Sequence, residues 1–388
     1  MSKDFHRSVS PDQSGLRKQR SLWSYTHLDL PLLLLLLALC VAGLVILYSA
    51  SGQDWAYVER QAIRMAAGFA ALIFLAQIPP RVIMRVGPWL YLLGVALLVG
   101  VILFGVGAKG AQRWLALPGF RFQPSELMKL VLPIVVAGYI ARYTLPPNFK
   151  AIIVSLVLIA IPFALIMKQP DLGTSLLIGA SGVFILLFSG IYWRWIFLSA
   201  GVVAASLPGL WMIMKDYQKQ RVLTFLDPES DPLGSGWNII QSKTAIGSGG
   251  LSGKGFLSGT QSQLNFLPES HTDFIIAVIG EELGMKGVLV LLTLYLLIVG
   301  RGLMIAVKAP DSFSRMLAAS ITLTFFVYVF VNIGMVSGIL PVVGVPLPMV
   351  SYGGTSIVTL MIGFGILMSI HTHKSMLRRL NNKIIAWR

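Results

Sequence analysis

The sequence predicts an all-α polytopic membrane protein with about ten transmembrane helices. Hydrophobic residues make up 55% of the 388 residues and charged residues only 12%, which is about half the charged share of a typical soluble protein. The mean hydropathy is +0.76. A chain with so little polar surface must place much of that surface in a lipid bilayer.

The first apolar window, residues 28–50, is predicted to be a retained transmembrane helix. Ser49-Ala50-Ser51 weakly resembles a signal cleavage site, but the apolar run before it is about 20 residues long, and a signal peptide uses roughly 7–15. Residues 1–27 are therefore expected to be a polar cytoplasmic tail. The single cysteine, Cys40, excludes an intrachain disulfide, and redox chemistry is not expected.

Nine further apolar windows predict the remaining spans. They are 57–78, 86–105, 125–142, 151–167, 172–190, 195–214, 273–300, 316–337 and 347–371. With a cytoplasmic tail, the inside segments hold 18 Lys and Arg and the short outside loops hold 4. Short basic loops resist translocation, so we expect both termini in the cytoplasm. This divides the chain into the tail, a transmembrane domain at 28–372 and a basic cytoplasmic tail at 373–388.

The net charge of +15 is attributed to this topology and to attraction for anionic lipid on the inner leaflet. Nucleic acid is not an expected partner, because no basic stripe alternates with exposed aromatic residues. The polar chemistry is expected in two extracytoplasmic loops, at about 106–124 and 215–272. The second loop, between the seventh and eighth helices, is far longer than a connection requires.

Glycines are concentrated in the second loop, from position 234 to position 259, where they would let the backbone approach a ligand closely. Gly249-Gly250-Leu251-Ser252-Gly253-Lys254-Gly255 resembles a phosphate-binding loop. Ser248 and Gly255 nevertheless occupy positions where that motif requires Gly and Ser or Thr. Two interpretations remain, a flexible loop and an anion-binding nest.

Asp273 is the strongest candidate for a catalytic residue. It lies where the second loop enters the apolar window 273–300, at the predicted outer surface. A carboxylate at the mouth of a membrane helix is costly to desolvate, so packing alone rarely explains it. His271, two residues earlier, is a weaker candidate as a ligand or a base.

Other polar residues at the predicted outer ends have both structural and functional interpretations. Glu126 and Lys129 are three residues apart on one helix face, which suits an internal ion pair as well as ligand positioning. Asp171 suits a helix N-cap or a ligand contact. The neighbours Arg113 and Trp114 suit an interfacial anchor or a site for a sugar and its phosphate.

Two further segments contain residues with a structural or a functional interpretation. Arg60 and Arg64 are four residues apart on the second span, where they would extend to lipid headgroups or contact a phosphate. Val350-Ser351-Tyr352-Gly353-Gly354 follows a proline-rich approach and predicts a broken or re-entrant helix start near the outer face.

Taken together, these segments resemble the SEDS family of shape, elongation, division and sporulation proteins, from about residue 28 to residue 374. The motifs that carry the resemblance are Lys109-Gly110-Ala111-Gln112-Arg113-Trp114, Gln123-Pro124-Ser125-Glu126, Gln169-Pro170-Asp171-Leu172-Gly173-Thr174, Asp227-Pro228, Gly247-Ser248-Gly249-Gly250, His271-Thr272-Asp273-Phe274 and Val350-Ser351-Tyr352-Gly353-Gly354. The resemblance implies a ten-helix peptidoglycan glycosyltransferase of the bacterial cytoplasmic membrane that polymerises lipid II for cell elongation and rod shape.

The resemblance also implies site residues and partners. Asp273 matches the family's essential acid, and Trp114 matches the tryptophan of its first outer motif. The remaining candidates for substrate contact are Lys109, Arg113, Arg121, Glu126, Lys129, Asp171, His271 and Ser351. The implied partners are lipid II as donor and acceptor, a class B penicillin-binding protein that crosslinks the glycan, and membrane proteins of the elongation complex.

The expected chemistry is a single inverting displacement at the sugar C1, with Asp273 as the general base. The leaving pyrophosphate needs positive charge from Arg113, Lys129, Arg121 or a divalent cation such as Mg²⁺ or Mn²⁺, and no organic cofactor is expected. The main alternative is a lipid II flippase, which Glu281, Glu282 and Lys286 keep open because they appear deeper in span eight. A weaker alternative is a scaffold without catalytic activity.

Overall fold

The computed structural model describes residues 26–108, 111–117, 120–214, 216–227, 235–263 and 270–373. The helices of the first half are α1 (Leu30–Ala50), α2 (Trp55–Gln77), α3 (Pro80–Phe104), α4 (Pro124–Ile140), α5 (Phe149–Lys168), α6 (Leu172–Phe188) and α7 (Trp193–Ile213). Those of the second half are α8 (Asp216–Leu226), α9 (Ser235–Gly249), α10 (Thr260–Gln263), α11 (Ile275–Glu282), α12 (Gly284–Val307), α13 (Ser312–Val336) and α14 (Thr355–Thr372).

Six of these helices are long and apolar enough to cross a membrane, namely α1, α3, α5, α12, α13 and α14. The apolar helix α6 is shorter, with 17 residues. Every predicted window overlaps a helix, which agrees with a polytopic all-α protein. The count of ten spans and the direction in which they face stay predictions.

Among the six long apolar helices, α13 and α14 are the most deeply buried. Their most apolar 18-residue windows are each 56% buried within the protein, whereas the other four long helices reach only 28–39%. Leu, Val and Phe side chains are exposed around the outer helices, for example Leu34, Phe74 and Val290. Exposed apolar side chains of this kind are expected on helices whose outer faces contact lipid.

The segment at about 106–124, predicted as a loop, contains a small antiparallel sheet. Its strands are β1 (Val106–Ala108), β2 (Ala111–Leu117) and β3 (Phe120–Phe122), in the order β1-β2-β3. Val106 pairs with Trp114, and Leu115 pairs with Phe122. Because β2 pairs with both β1 and β3, Arg113 and Trp114 lie on an ordered strand.

The predicted span 273–300 is two helices, not one. α11 ends at Glu282 and α12 begins at Gly284, whose φ of +66° breaks the helix in a conformation that glycine adopts without strain. The 24 residues of α12 measure about 36 Å, enough to cross a bilayer alone. Glu281 and Glu282 therefore lie at the junction between α11 and α12 and not within one continuous helix. Their depth in the membrane stays a prediction.

Residues 215–272, predicted as the second loop, are largely helical where the structure describes them, and two of their glycines, Gly249 and Gly253, allow close packing. A Cβ on Gly249 would stand 1.9 Å from the carbonyl oxygen of Gly280, and one on Gly253 would stand 2.1 Å from that of Glu282. Lys254 donates its backbone N–H to Glu281 O. The segment that resembles a phosphate loop therefore lies against α11, where the expected close approach is to protein backbone and not to a ligand.

Candidate functional site

A polar cleft opens at one end of the bundle, where β2 meets the starts of α4, α6 and α14. It has an empty volume of about 680 Å³, including its open mouth. Five residues that the sequence singled out line it together: Arg113, Trp114, Glu126, Lys129 and Asp171. Each follows a loop or begins a helix, so the turns of the chain at this end bring distant motifs to one place.

Glu126 and Lys129 form the predicted ion pair on the first turns of α4. Lys129 Nζ lies 2.6 Å from Glu126 Oε1 and 5.2 Å from the centre of the Tyr328 ring on α13. Both charged side chains are more than nine-tenths buried. Glu126 Oε2 is buried without a hydrogen-bond donor among the described residues. The pair therefore puts a fixed ammonium and one unused carboxylate oxygen at the cleft wall.

Arg113 and Asp171 link β2 to the start of α6. Arg113 Nη2 donates to Pro170 O at 2.7 Å, and its Nε lies 3.6 Å from Asp171 Oδ2. Asp171 is also the N-cap of α6, as one interpretation predicted, and accepts from Thr174 N at 3.2 Å. About a third of the Arg113 side chain stays exposed, so the guanidinium is tethered but open to the cleft.

Asp273 is not among the residues that line this cleft, but its carboxylate lies beside Gly344, which is. A Cβ built on Gly344, which lines the cleft, would stand 3.5 Å from Asp273 Oδ2. Asn332 Nδ2 donates to both Asp273 O and Val345 O at 2.8 Å, so one amide on α13 fixes both segments. The carboxylate is held beside a glycine whose lack of a side chain leaves room next to it.

Ser351 is buried and positions the backbone that precedes Asp273. Its hydroxyl donates to Thr272 O and accepts from Leu347 N at 2.8 Å. Tyr352 N donates to His271 O at 2.8 Å. This pins the segment before Asp273 to the irregular stretch that precedes α14. Direct contact of Ser351 with a substrate stays a prediction, as does that of His271.

Two candidates fall partly or wholly outside this geometry. Lys109 lies outside the described residues. Arg121 lies in β3, where it pairs with Ala116. Within the described ranges no group of three His, Cys, Asp or Glu residues is arranged to hold a metal ion.

The sequence analysis missed Tyr328 and Asn332. Both lie on α13, and Tyr328 lines the cleft while Asn332 holds Asp273. A signal was present, because two polar side chains four residues apart share one face of an otherwise apolar helix. A hydrogen-bonding face on a membrane helix is expected to point into the bundle.

Comparison with known proteins gives one family along almost the whole chain. The family model for FtsW, RodA and SpoVE, described as a cell cycle protein, matches residues 30–376. The peptidoglycan glycosyltransferase MrdB of Escherichia coli K12 is 56% identical over 362 residues, which are 93% of this chain and 98% of MrdB. The probable peptidoglycan glycosyltransferase FtsW of Geobacter metallireducens is 38% identical over 358 residues, covering 89% of this chain and 94% of that protein.

Solved structures share the fold. A chain from a peptidoglycan synthase complex, studied for the structural coordination of polymerization and crosslinking, superposes with a TM-score of 0.79 at 29% identity. That match covers 89% of this chain and 98% of the other. The rod shape determining protein RodA of Thermus thermophilus superposes with a TM-score of 0.68 at 26% identity, covering 89% and 97%.

Proposed function

The chain belongs to the FtsW, RodA and SpoVE family, and from that membership we propose how its polar cleft works. The protein is a peptidoglycan glycosyltransferase that polymerises glycan for cell elongation, as its 56% identity to MrdB along nearly the whole chain supports. Its substrate is lipid II, a disaccharide-pentapeptide on a polyprenyl pyrophosphate. It works at the outer face of the bacterial cytoplasmic membrane, where the charge bias of the loops puts the cleft.

One observation carries the mechanism, namely the position of the Asp273 carboxylate beside Gly344, a residue that lines the cleft. The donor C1 is bonded α to pyrophosphate, and the product linkage is β-1,4, so one displacement with inversion suffices. The acceptor 4-hydroxyl attacks C1 while Asp273 takes its proton, and the bond from C1 to the pyrophosphate oxygen breaks. Positioned proton transfer of this kind accelerates a reaction typically about 10²–10⁴-fold.

The leaving pyrophosphate needs positive charge, and Lys129 and Arg113 are the described cations in the cleft. Each already lies near a carboxylate, Glu126 or Asp171 respectively. With Asp273 included, these five side chains carry a formal charge of −1. The cleft therefore needs further cations when pyrophosphate enters, and Lys109 and Arg121 are expected contributors.

A divalent cation would supply part of that charge. Mg²⁺ in phosphate-handling sites is usually held by one or two carboxylates together with substrate phosphates. Glu126 Oε2, a buried carboxylate oxygen in the cleft without a hydrogen-bond donor among the described residues, fits this donor set. A cage of three protein carboxylates or imidazoles does not occur among the described residues. The role of this chain's residues would be to place one carboxylate next to the pyrophosphate.

The partner is a class B penicillin-binding protein that crosslinks the new strands, alongside other membrane proteins of the elongation complex. The superposition on a chain of a peptidoglycan synthase complex supports this proposal. The contacts of Glu281 weaken the alternative that the protein transports lipid II. Glu281, which kept that alternative open, has its carboxylate bonded to Lys254 Nζ and to the backbone N–H groups of Thr260 and Gln261.

The test is polymerisation of labelled lipid II by the purified full chain with its partner, with and without a chelator. Asp273→Asn should retain the fold but lower glycan formation at least about 100-fold, because the proton acceptor is gone. Asp54→Asn is the matched control, since Asp54 caps α2 through Ala56 N and asparagine also caps helices. Near-normal glycan chains from Asp273→Asn would exclude Asp273 as the base.

A further inference from the structure

A second basic cluster lies on the other side of the segment that precedes α14. It consists of Arg60 and Arg64 on α2 together with the rings of Tyr57, Tyr352 and His271. The Arg60 guanidinium lies 4.9 Å from the centre of the Tyr57 ring, and that of Arg64 lies 4.7 Å from the centre of Tyr352. Tyr57 contacts both His271 and Tyr352, with ring centres 5.1 Å and 5.0 Å apart. We call this group the α2 cluster.

The two arginines of the α2 cluster make few contacts with polar groups among the described residues. Arg64 Nη1 makes one long contact, 3.4 Å to Gly353 O. Among the described residues, no carboxylate lies within ion-pair distance of Arg60 or Arg64. Within the part of the chain that the structure describes, no carboxylate therefore neutralises the charges of the two arginines.

The depth of Arg64 argues against simple extension to the headgroups. It lies nine residues into α2, which is about 13 Å along the helix axis from Trp55. An unpaired charge at this depth is costly unless it faces water or an anion. Arg64 is half-buried, and it contacts Gly353 in the irregular segment. At the outer leaflet the abundant anions are phosphates esterified to lipids, so a lipid phosphate is the ligand that this chemistry selects.

The α2 cluster and the polar cleft share one wall. Gly353 lines the cleft, and its carbonyl oxygen contacts Arg64 on the other side. Gln61 fixes this wall, because its side chain donates to Ser351 O and accepts from Gly353 N. His271, within the cluster, precedes Asp273 by two residues. The α2 cluster therefore reaches the segment of the proposed base through His271, and the cleft reaches it through Gly344.

We propose that Arg60 and Arg64 bind the pyrophosphate of a lipid-linked sugar, at a position separate from the one beside Lys129 and Arg113. This inference rests on the proposed function, in which donor and acceptor both carry a polyprenyl pyrophosphate. A reaction between two such lipids needs two anion positions on either side of the proton acceptor. Arg60 and Arg64 supply the positive charge for the second of these positions, outside the cleft.

Binding of polyprenyl pyrophosphate itself tests the proposal without any turnover. The full chain is reconstituted in phosphatidylcholine nanodiscs, and the bound probe is counted at saturation. The native chain should bind two molecules and the Arg60→Gln/Arg64→Gln variant one, or the second with affinity at least roughly tenfold weaker. Arg81→Gln/Arg85→Gln is the matched control, because Arg81 and Arg85 are also four apart and exposed, at the start of α3. Equal binding by variant and control would overturn the proposal.

A competition arm separates the two sources of lipid phosphate. Excess phosphatidylglycerol should leave both molecules of probe bound, since a phosphodiester presents less charge than a pyrophosphate. Displacement of one molecule by phosphatidylglycerol at equal concentration would instead identify a phospholipid site and overturn the assignment. In the polymerisation assay, the Arg60→Gln/Arg64→Gln variant should raise KM for lipid II about tenfold while kcat changes less. Because the binding arm needs no catalysis, it stays readable even if Asp273 proves not to be the base.

Discussion

Asp29 and Arg301, 272 positions apart in the chain, form a two-point ion pair at the end of the bundle opposite the polar cleft. Arg301 Nη2 lies 2.6 Å from Asp29 Oδ2, and its Nε lies 3.1 Å from Oδ1. His371 Nε2 approaches the same carboxylate at 3.4 Å. Asp29 precedes α1, and His371 is in the last turn of α14. The first and last helices are thereby joined at one end, in agreement with the prediction that both tails leave on the same side.

This ion pair predicts how stability depends on pH. Burial raises the pKa of Asp29. Hydrogen bonds from Arg301 and Leu32 N, together with the positive charge of Arg301, lower it by more than burial raises it, so the pKa falls below 3.8. A carboxyl with a lowered pKa contributes stability above its unfolded pKa, and that contribution is lost as pH falls through the folded value. The native chain should therefore be more stable than Asp29→Asn by about 2 kcal/mol at neutral pH, and the difference should vanish only well below pH 4.

Thermal unfolding in detergent at several pH values measures this difference. Asp311→Asn is the control, because Asp311 also caps a helix, accepting from Ser314 N at 2.9 Å, and is exposed. Asparagine keeps the cap, so the control should unfold within about 0.5 kcal/mol of the native chain. A gap between native and Asp29→Asn that already closes between pH 7 and pH 5 would contradict the assigned cause.

The buried pair of Glu126 and Lys129 predicts strongly non-additive substitutions. Removing one partner leaves an uncompensated charge in a site that is more than nine-tenths buried, which costs about 3–5 kcal/mol. Glu126→Gln and Lys129→Met should each destabilise by that amount, whereas the double variant should cost less than either. Unfolding free energies of the four proteins give the coupling energy directly. Additive costs would show that the two charges are solvated separately.

The convergence of the polar motifs was predictable from sequence. Arg113, Glu126, Asp171 and Asp273 come from four separate segments, yet the charge bias of the loops puts all four at one surface. A bundle of antiparallel helices then has few ways to keep such groups apart. Which of them touch was not predictable, because Asn332 and Gly344 set the position of Asp273 and neither belongs to a charged motif.

Backbone breaks were harder to predict than polar positions. Residues 273–300 form one apolar window, and hydropathy does not register that Gly284 has a positive φ. The sheet in 106–122 was missed because its strands are only three to seven residues long, too short for a clear alternation of side chains. The glycines of the predicted second loop were correctly linked to close approach, but composition does not reveal which backbone is approached.

Close packing of α9 against α11 predicts opposite effects at two neighbouring glycines. At Gly249 a Cβ would stand 1.9 Å from the carbonyl oxygen of Gly280, so Gly249→Ala must displace backbone and should cost about 1–3 kcal/mol. Gly247, in the same helix, has no atom within 4 Å of its Cβ position. Gly247→Ala should therefore be neutral or stabilise by up to about 1 kcal/mol. Thermal unfolding of both variants checks this, and equal destabilisation would show that α9 does not lie against α11.

Arg113 predicts a separation between substrate use and stability. Its guanidinium is about one-third exposed, and its ion pair with Asp171 is long, at 3.6 Å, so the pair itself contributes at most about 1 kcal/mol to folding. Arg113→Ala should leave thermal unfolding nearly unchanged and raise KM for lipid II about tenfold, because one cation facing the pyrophosphate is lost. Asp171→Asn is the matched variant: it keeps a capping side chain at α6 and removes the charge that competes for Arg113, so KM should fall or stay constant. If both variants raised KM equally, the pair would act as a scaffold for β2. If Arg113→Ala turned over limiting lipid II at the native rate, Arg113 would not contact the substrate at all.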